Sequence, residues 1–226
     1  MAGGIFVTGT DTGVGKTAVA CALLHAARAR GLPAAGFKPV ASGSRDTPGG
    51  PRNADGEALL ALSAPGLAYA EVNPYALPEP VAPHLAARRA GVALERDVLL
   101  AAFRRLRDRG LWVVTEGVGG WRVPLGRNWD TADLARALGL PVLLVVGLRL
   151  GCLNHALLTA ESVAAAGLSL AGWVAVPLDP GMALAAENAA ALEERLPAPC
   201  LGRLPFLRPP RPAAVARHLQ TQTIFI

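Results

Sequence analysis

The sequence predicts an α/β fold, a single doubly wound and mostly parallel sheet with helices on both faces. Two observations carry that reading. Short apolar runs of strand length alternate with helix-like segments, most of ten or more residues, an order that calls for parallel strands joined by crossover helices. A glycine-rich turn, Gly9-Thr10-Asp11-Thr12-Gly13-Val14-Gly15-Lys16-Thr17, stands between the first such run and the first such segment. No internal repeat and no linker divides the 226 residues, so residues 1–226 are expected to form one domain.

Ile5-Phe6-Val7 reads as the first strand and Thr17 to Arg30 as the first helix. Ala34 to Val40 reads as a second strand. It runs into a loop, Ser42 to Asn53, whose Gly, Pro, Ser and Arg content marks it as mobile or ligand-facing. Asp55 to Leu62 reads as a helix, and Ala64 to Pro83, with many prolines and little periodicity, as an irregular connection. Leu94, Val98, Leu99, Ala102, Phe103 and Leu106 line one face of a helix over Leu94 to Arg109. Leu111 to Glu116 is a continuous apolar strand ending in a carboxylate, with Gly117, Gly119 and Gly120 behind it. Pro141 to Val146, Ala171 to Val176 and Pro199 to Leu204 complete the strands. Leu153 to Ala166, Ala183 to Leu196 and Ala213 to Leu219 complete the helices, before a polar-then-apolar tail. Ligands of such sheets lie at the carboxyl ends of the strands, which puts the loops after Val7, Phe37, Thr115, Val146 and Val176 on one rim.

Composition excludes several classes. An apolar content of 52% is ample for a globular core. The net charge of +5 comes from scattered arginines with no basic block, which does not suit a nucleic-acid reader. Cys21, Cys152 and Cys200 form no C-x-x-C pair, so neither a zinc site nor a disulfide framework is expected, and a reducing compartment fits. The first strand starts almost at once, leaving no room for a signal peptide. The longest apolar run, Leu140 to Leu148, is too short to span a bilayer. A cytoplasmic protein without membrane contact is the expectation. Of the 22 basic residues only Lys16 and Lys38 are lysines, so the compact ammonium is kept for two places.

Strand, glycine-rich turn and helix together form a P-loop, the NTPase type of this fold. The template G-x-x-x-x-G-K-[ST] is met with one extra residue when counted from Gly9. Backbone N–H groups over Gly13 to Ala18 would wrap phosphates, with Lys16 on the terminal ones and the Thr17 hydroxyl on Mg2+. Glu116, at a buried strand end, and Asp55 are candidates to complete the magnesium shell.

The segments Phe6-Val7-Thr8-Gly9-Thr10-Asp11-Thr12, Val14-Gly15-Lys16-Thr17, Lys38-Pro39-Val40-Ala41-Ser42-Gly43, Val72-Asn73-Pro74-Tyr75, Glu116-Gly117-Val118-Gly119-Gly120-Trp121 and Leu150-Gly151-Cys152-Leu153-Asn154-His155-Ala156 resemble the dethiobiotin synthetases, over essentially the whole chain. The resemblance implies an ATP-dependent ligase of biotin biosynthesis. 7,8-Diaminopelargonate takes up CO2 as a carbamate, ATP phosphorylates it, and the second amine closes a ureido ring, releasing ADP and phosphate. It further implies that Lys16 and Lys38 supply positive charge, Lys38 standing on the ligand-facing rim and not in the core. Thr17, Asp55 and Glu116 would hold the metal, and Thr12 and Ser42 the carbamate. Gly117, Val118 and Gly119 would lie against the nucleotide, with Val176, Pro177, Pro205, Phe206 and Leu207 around its base. Gly151, Cys152 and Asn154 would hold the substrate's remote carboxylate across the interface of a homodimer.

The family's base-reading asparagine falls at Val176, a tyrosine near the carboxylate at Asn188, and an acidic residue near the nucleotide at Pro212. A partition-type ATPase, a binding switch on the same fold, is the rival. Its loop reads Lys-Gly-Gly-x-Gly-Lys-Thr, and Asp11 stands where that first lysine belongs. Amidotransferase-type synthetases carry a glutaminase domain, for which this chain has no room.

Overall fold

A computed structural model describes residues 3–225. The chain runs β1 (Gly4–Gly9), α1 (Lys16–Ala29), β2 (Ala34–Phe37), β3 (Val40–Ser42), α2 (Ala54–Leu62), α3 (Tyr69–Val72), β4 (Tyr75–Leu77), α4 (Pro83–Arg89) and α5 (Arg96–Asp108). It continues through β5 (Trp112–Glu116), α6 (Thr131–Leu138), β6 (Val142–Leu148), α7 (Cys152–Ala165), β7 (Leu170–Pro177), α8 (Ala185–Glu193), β8 (Cys200–Arg203) and α9 (Pro212–Ala216), and a 3-10 turn covers Thr221–Thr223.

Six strands form one parallel sheet in the order β2-β5-β1-β6-β7-β8. The chain leaves β1 toward one edge and β6 toward the other, so the strand order reverses around β1. The crevice that holds ligands in doubly wound sheets opens there. Pairing of Val7 with Glu116 sets that carboxylate beside the strand that feeds the glycine turn.

Alternation along each strand decides which helices it carries. Ile5 and Val7 pack with α1, α2 and α9, as do Val114 and Val174. Phe6 and Val113 face the other side, toward α5 and α6. Leu144, Val146, Trp173 and Ala175 meet α7 and α8. Both faces are therefore covered, which explains the unbroken apolar runs in the sequence.

The structure corrects several expected elements. The second strand is two strands, because the chain turns away from β2 at Lys38-Pro39 and β3 pairs with β4 in a separate two-stranded sheet. The stretch Ala64 to Pro83 is not irregular throughout, since it holds α3 and β4, and α4 starts at Pro83. These pieces are too short to show a period. The helix α6 lay outside the expected elements although its signals are in the sequence: Asp130 caps the N–H groups of Ala132 and Asp133, and Gly139 ends it in the left-handed region. The Ser42 to Asn53 loop folds back on itself through an antiparallel bridge between Arg45 and Arg52. The last helix begins at Pro212 and stops at Ala216.

The helix α2 rides close on β2 over Gly36. A methyl group on Gly36 would come 2.6 Å from Leu59 Cβ and 3.2 Å from Leu24 Cδ1, so the helix would have to lift. Gly36→Ala should cost about 1–3 kcal/mol of stability. For a chain of this size that is a fall in Tm of roughly 2–4 °C per kcal/mol. A melting curve superimposable on that of the unmodified protein would show that α2 is free to shift.

Candidate active site

Between β1 and α1 the backbone of Thr10 to Gly15 folds into a nest. Gly13 (φ 73°) and Gly15 (φ 97°) lie in the left-handed region, where side chains are strained. No side chain caps the amino end of α1, so its first-turn N–H groups stay available to an anion. Lys16 follows at once, 6% exposed, with Nζ donating to the carbonyl of Asp11 at 2.7 Å. Burial, and then the charge of Lys38, pull its pKa down to about 8. The carboxylates of Glu116, Asp55 and Asp11 offset part of that shift.

Three further elements converge on this turn. Lys38 comes from the β2–β3 connection, Asp55 from the first turn of α2 and Glu116 from the end of β5. Lys38 Nζ lies 2.6 Å from Glu116 Oε1 and 2.9 Å from Asp55 Oδ2, and donates to Gly117 O at 3.2 Å. Burial alone would lower the Lys38 pKa, but the two carboxylates outweigh it, and the ammonium stays charged. Burial would likewise raise Asp55, yet Lys38 and Thr17 hold it below the ordinary carboxylate range. Lys38 does line the cleft, but at 3% exposure it is also a buried structural charge. The expectation that it stands clear of the core is corrected on that point.

Thr17 Oγ1 lies 2.9 Å from both Asp55 Oδ1 and Glu116 Oε1. One hydroxyl proton can serve only one of those contacts, so two oxygens face each other with no proton between them. Glu116 Oε2 is buried with no hydrogen-bond partner. A hydroxyl and two carboxylates arranged in this way fit a hard divalent cation, which completes its shell with phosphate oxygens and water. No cluster of three or more His, Cys, Asp or Glu suited to a metal occurs among the described residues.

A buried polar relay sets these groups. Asn53 accepts from the N–H of Asp55 at 3.0 Å and donates to Ser42 O at 3.1 Å. Its own N–H donates to Tyr69 Oη at 2.7 Å, and that hydroxyl donates to Asn73 Oδ1 at 2.7 Å. Asn73 Nδ2 in turn donates to Lys38 O at 2.7 Å. Sequence reasoning gave none of the three a role. The pattern Asn53-Ala54-Asp55 was a legible helix cap, and Asn73 sits in a family-like motif, but the Tyr69 link is purely tertiary.

The cleft over these groups holds about 820 Å³ and is lined by Thr12, Gly13, Gly15, Ala18, Ser42, Val118 and Gly119 besides the charged residues. Pro80 to Pro83, Val123 and Pro210 close its far walls. Ser42 Oγ is buried and unpartnered. Val14 is buried beneath the loop. Val176 touches the loop from below, since a Cβ on Gly15 would come 3.1 Å from its Cγ1. Val176, Pro177, Pro205, Phe206 and Leu207 do not line the cleft, and neither do Gly151, Cys152 and Asn154 at the start of α7. A second cavity, about 670 Å³, lies at the opposite end of the sheet among Leu24, Leu32, Leu60 and Leu67. Arg28 is its one ionisable group, so it offers no acid–base chemistry.

Residues 3–213 match a family model described as an AAA domain. The ATP-dependent dethiobiotin synthetase of Pseudomonas paraeruginosa is 56% identical over 222 residues, 98% of this chain and 97% of that protein. The enzyme of the same name from Xanthomonas oryzae pv. oryzae is 55% identical over 215 residues, 95% of this chain and 96% of that one. Among solved structures, chloroplast FtsY from Physcomitrella patens aligns with a TM-score of 0.49 at 20% identity, over 96% of this chain and 65% of that one.

Removing the ammonium at the centre of the cluster leaves two carboxylates facing each other in a buried setting. Lys38→Ala should therefore lose on the order of 3 kcal/mol of unfolding free energy in urea without ligands, besides any effect on turnover. An unchanged urea midpoint would mean that the cluster does not stabilise the fold.

Proposed function

The chain belongs to the ATP-dependent dethiobiotin synthetases, ligases of biotin biosynthesis, and from that premise we propose that its cleft joins CO2 to the two amines of 7,8-diaminopelargonate. The observation that carries this reading is the placing of both lysines of the chain in one cleft, Lys16 on the phosphate loop and Lys38 between Glu116 and Asp55.

One amine of the substrate attacks CO2, a C–N bond forms and the amine gives up a proton, leaving a carbamate. A carbamate oxygen then attacks the γ-phosphorus of ATP, and the bond to the β–γ bridging oxygen breaks with the electrons going to ADP. The second amine attacks the carbonyl carbon of the mixed anhydride, phosphate departs with the C–O electron pair, and loss of a proton completes the ring. Each species at the reacting end is anionic, so the work of the protein is positioning and fixed positive charge. The loop amides of Gly13 to Ala18 and Lys16 hold the phosphates. Lys38 stands by the carbamate, with Thr12 and the unpartnered Ser42 hydroxyl as its polar contacts. Val118 and Gly119 form the adjoining wall, while Gly117 does not line the cleft and accepts from Lys38 through its carbonyl.

Thr17, Asp55 and Glu116 would hold Mg2+, which supplies charge neutralisation to the β- and γ-phosphates. Gly151, Cys152 and Asn154 lie outside the cleft of their own chain, and the apolar Leu150, Leu158 and Leu184 are exposed around them. Both facts support a homodimer in which α7 of one subunit meets the substrate of the other, by its helix N-terminus. Free Cys21, Cys152 and Cys200 suit the cytoplasm, and no helix among the described residues is long and apolar enough to cross a membrane. The switch-ATPase alternative has little support, given Asp11 in place of a lysine and the named relatives.

Phosphate release should depend on diamine, CO2 and magnesium together, and Lys16→Gln should weaken nucleotide binding as well as rate. Release at the same rate without the diamine would point to a switch ATPase instead.

Base recognition gives a further expectation. Val176 offers only apolar contact where the family has an amide, and Pro177 has no N–H to donate. Discrimination of ATP over GTP and CTP in kcat/KM should be about tenfold or less, with Val176→Asn sharpening it. A preference above about a hundredfold would mean that backbone or water contacts read adenine.

A further inference from the structure

A loop that binds polyphosphate is an unfavourable place for a carboxylate, yet Asp11 lines this cleft. Its Oδ1 accepts the N–H of Thr12 at 2.7 Å, and its Oδ2 accepts from Arg149 Nη2 at 2.5 Å. The Thr12 hydrogen bond, with help from Arg149, holds its carboxyl below the ordinary range, so it is ionised at neutral pH. Its backbone carbonyl meanwhile receives Lys16 Nζ. Arg149 lies between β6 and α7, two residues before Gly151, and the hydroxyl of Thr10 accepts from the N–H of Gly147 on the same strand at 3.4 Å. Side chains at positions 11 and 149 are 45% and 44% exposed, so their ion pair adds little to overall stability.

We propose that Arg149 is a positioning residue of the phosphate loop, acting through Asp11. It neutralises the one acidic side chain of the loop and fixes the loop to the entry of α7. Without it, an uncompensated carboxylate faces the incoming phosphates. With it, the Asp11 side chain serves only to pin Thr12 in place. The pair also joins the nucleotide loop to the start of α7 in the same chain, the helix end that the homodimer proposed above would offer to the substrate of the partner subunit. The inference rests on the loop's being the phosphate site.

A double-mutant cycle on binding of a non-hydrolysable ATP analogue with magnesium, followed by calorimetry, tests it. Arg149→Ala should weaken binding about tenfold, because it exposes the repulsive charge. Asp11→Asn should bind within about threefold of wild type, and the double variant should recover to the level of Asp11→Asn, a non-additivity expected only of a coupled pair. Arg149→Lys, which keeps the charge, should retain most of the affinity. The deficit of Arg149→Ala should shrink as salt is raised, since the repulsion is screened, while its Tm stays within about 2 °C of wild type. In turnover the loss should fall on the KM for ATP more than on kcat. Affinity within twofold of wild type in Arg149→Ala, or no recovery in the double variant, overturns the proposal. Failure of the unmodified protein to bind the analogue would instead overturn the phosphate-site reading itself.

Discussion

A buried ammonium shared by two carboxylates is the constraint on which the rest of this structure depends. A charge taken out of water is tolerable only if partners meet it at hydrogen-bond distance. Lys38 finds its partners on a helix and a strand distant in sequence, and Thr17 of a second helix touches both carboxylates. Four elements must therefore arrive together: the turn after β2, the first turn of α2, the end of β5 and the start of α1. The relay through Asn53, Tyr69 and Asn73 fixes the backbone on either side of that meeting point. The cluster that costs most to bury is also one that lines the cleft.

The sheet makes the meeting possible with few degrees of freedom. Parallel pairing of β1 with β5 fixes Glu116 beside Val7, and β1 leads directly into the phosphate loop. Close approach at Gly36 sets the height of α2, and hence of Asp55 at its amino end. Trp121, just past the glycines after β5, packs edge-on against Phe6 with ring centroids 6.2 Å apart, holding that wall of the cleft to the central strand. Distances at the site are thus consequences of strand register and one glycine.

What the sequence made legible was local. Gly9 to Thr17 and the carboxylate at the end of an apolar strand are contiguous patterns with a physical meaning of their own, and the scarcity of lysine singled out Lys16 and Lys38. Strand identities followed from unbroken apolar runs, and that of the helix over Leu94 to Arg109 from its period. The missing parts were of two kinds. Pieces of three to eight residues, such as β3, β4 and α6, are too short for periodicity, and α6 announced itself only by its caps. Partnerships such as Asn73 with Lys38, or Asp11 with Arg149, join residues 35 and 138 positions apart, and no spacing rule reaches that far. The burial of Lys38 belongs to the same class, because it depends on what α2 and β5 place around it.

The hydrogen bond from Lys16 to the carbonyl of Asp11 has one more consequence. The contact ties the Lys16 side chain to the backbone five positions earlier, so the turn is braced from inside by its own lysine. The place of the ammonium over the loop is therefore set by the fold of the main chain from Asp11 to Lys16 and not by side-chain rotamers alone.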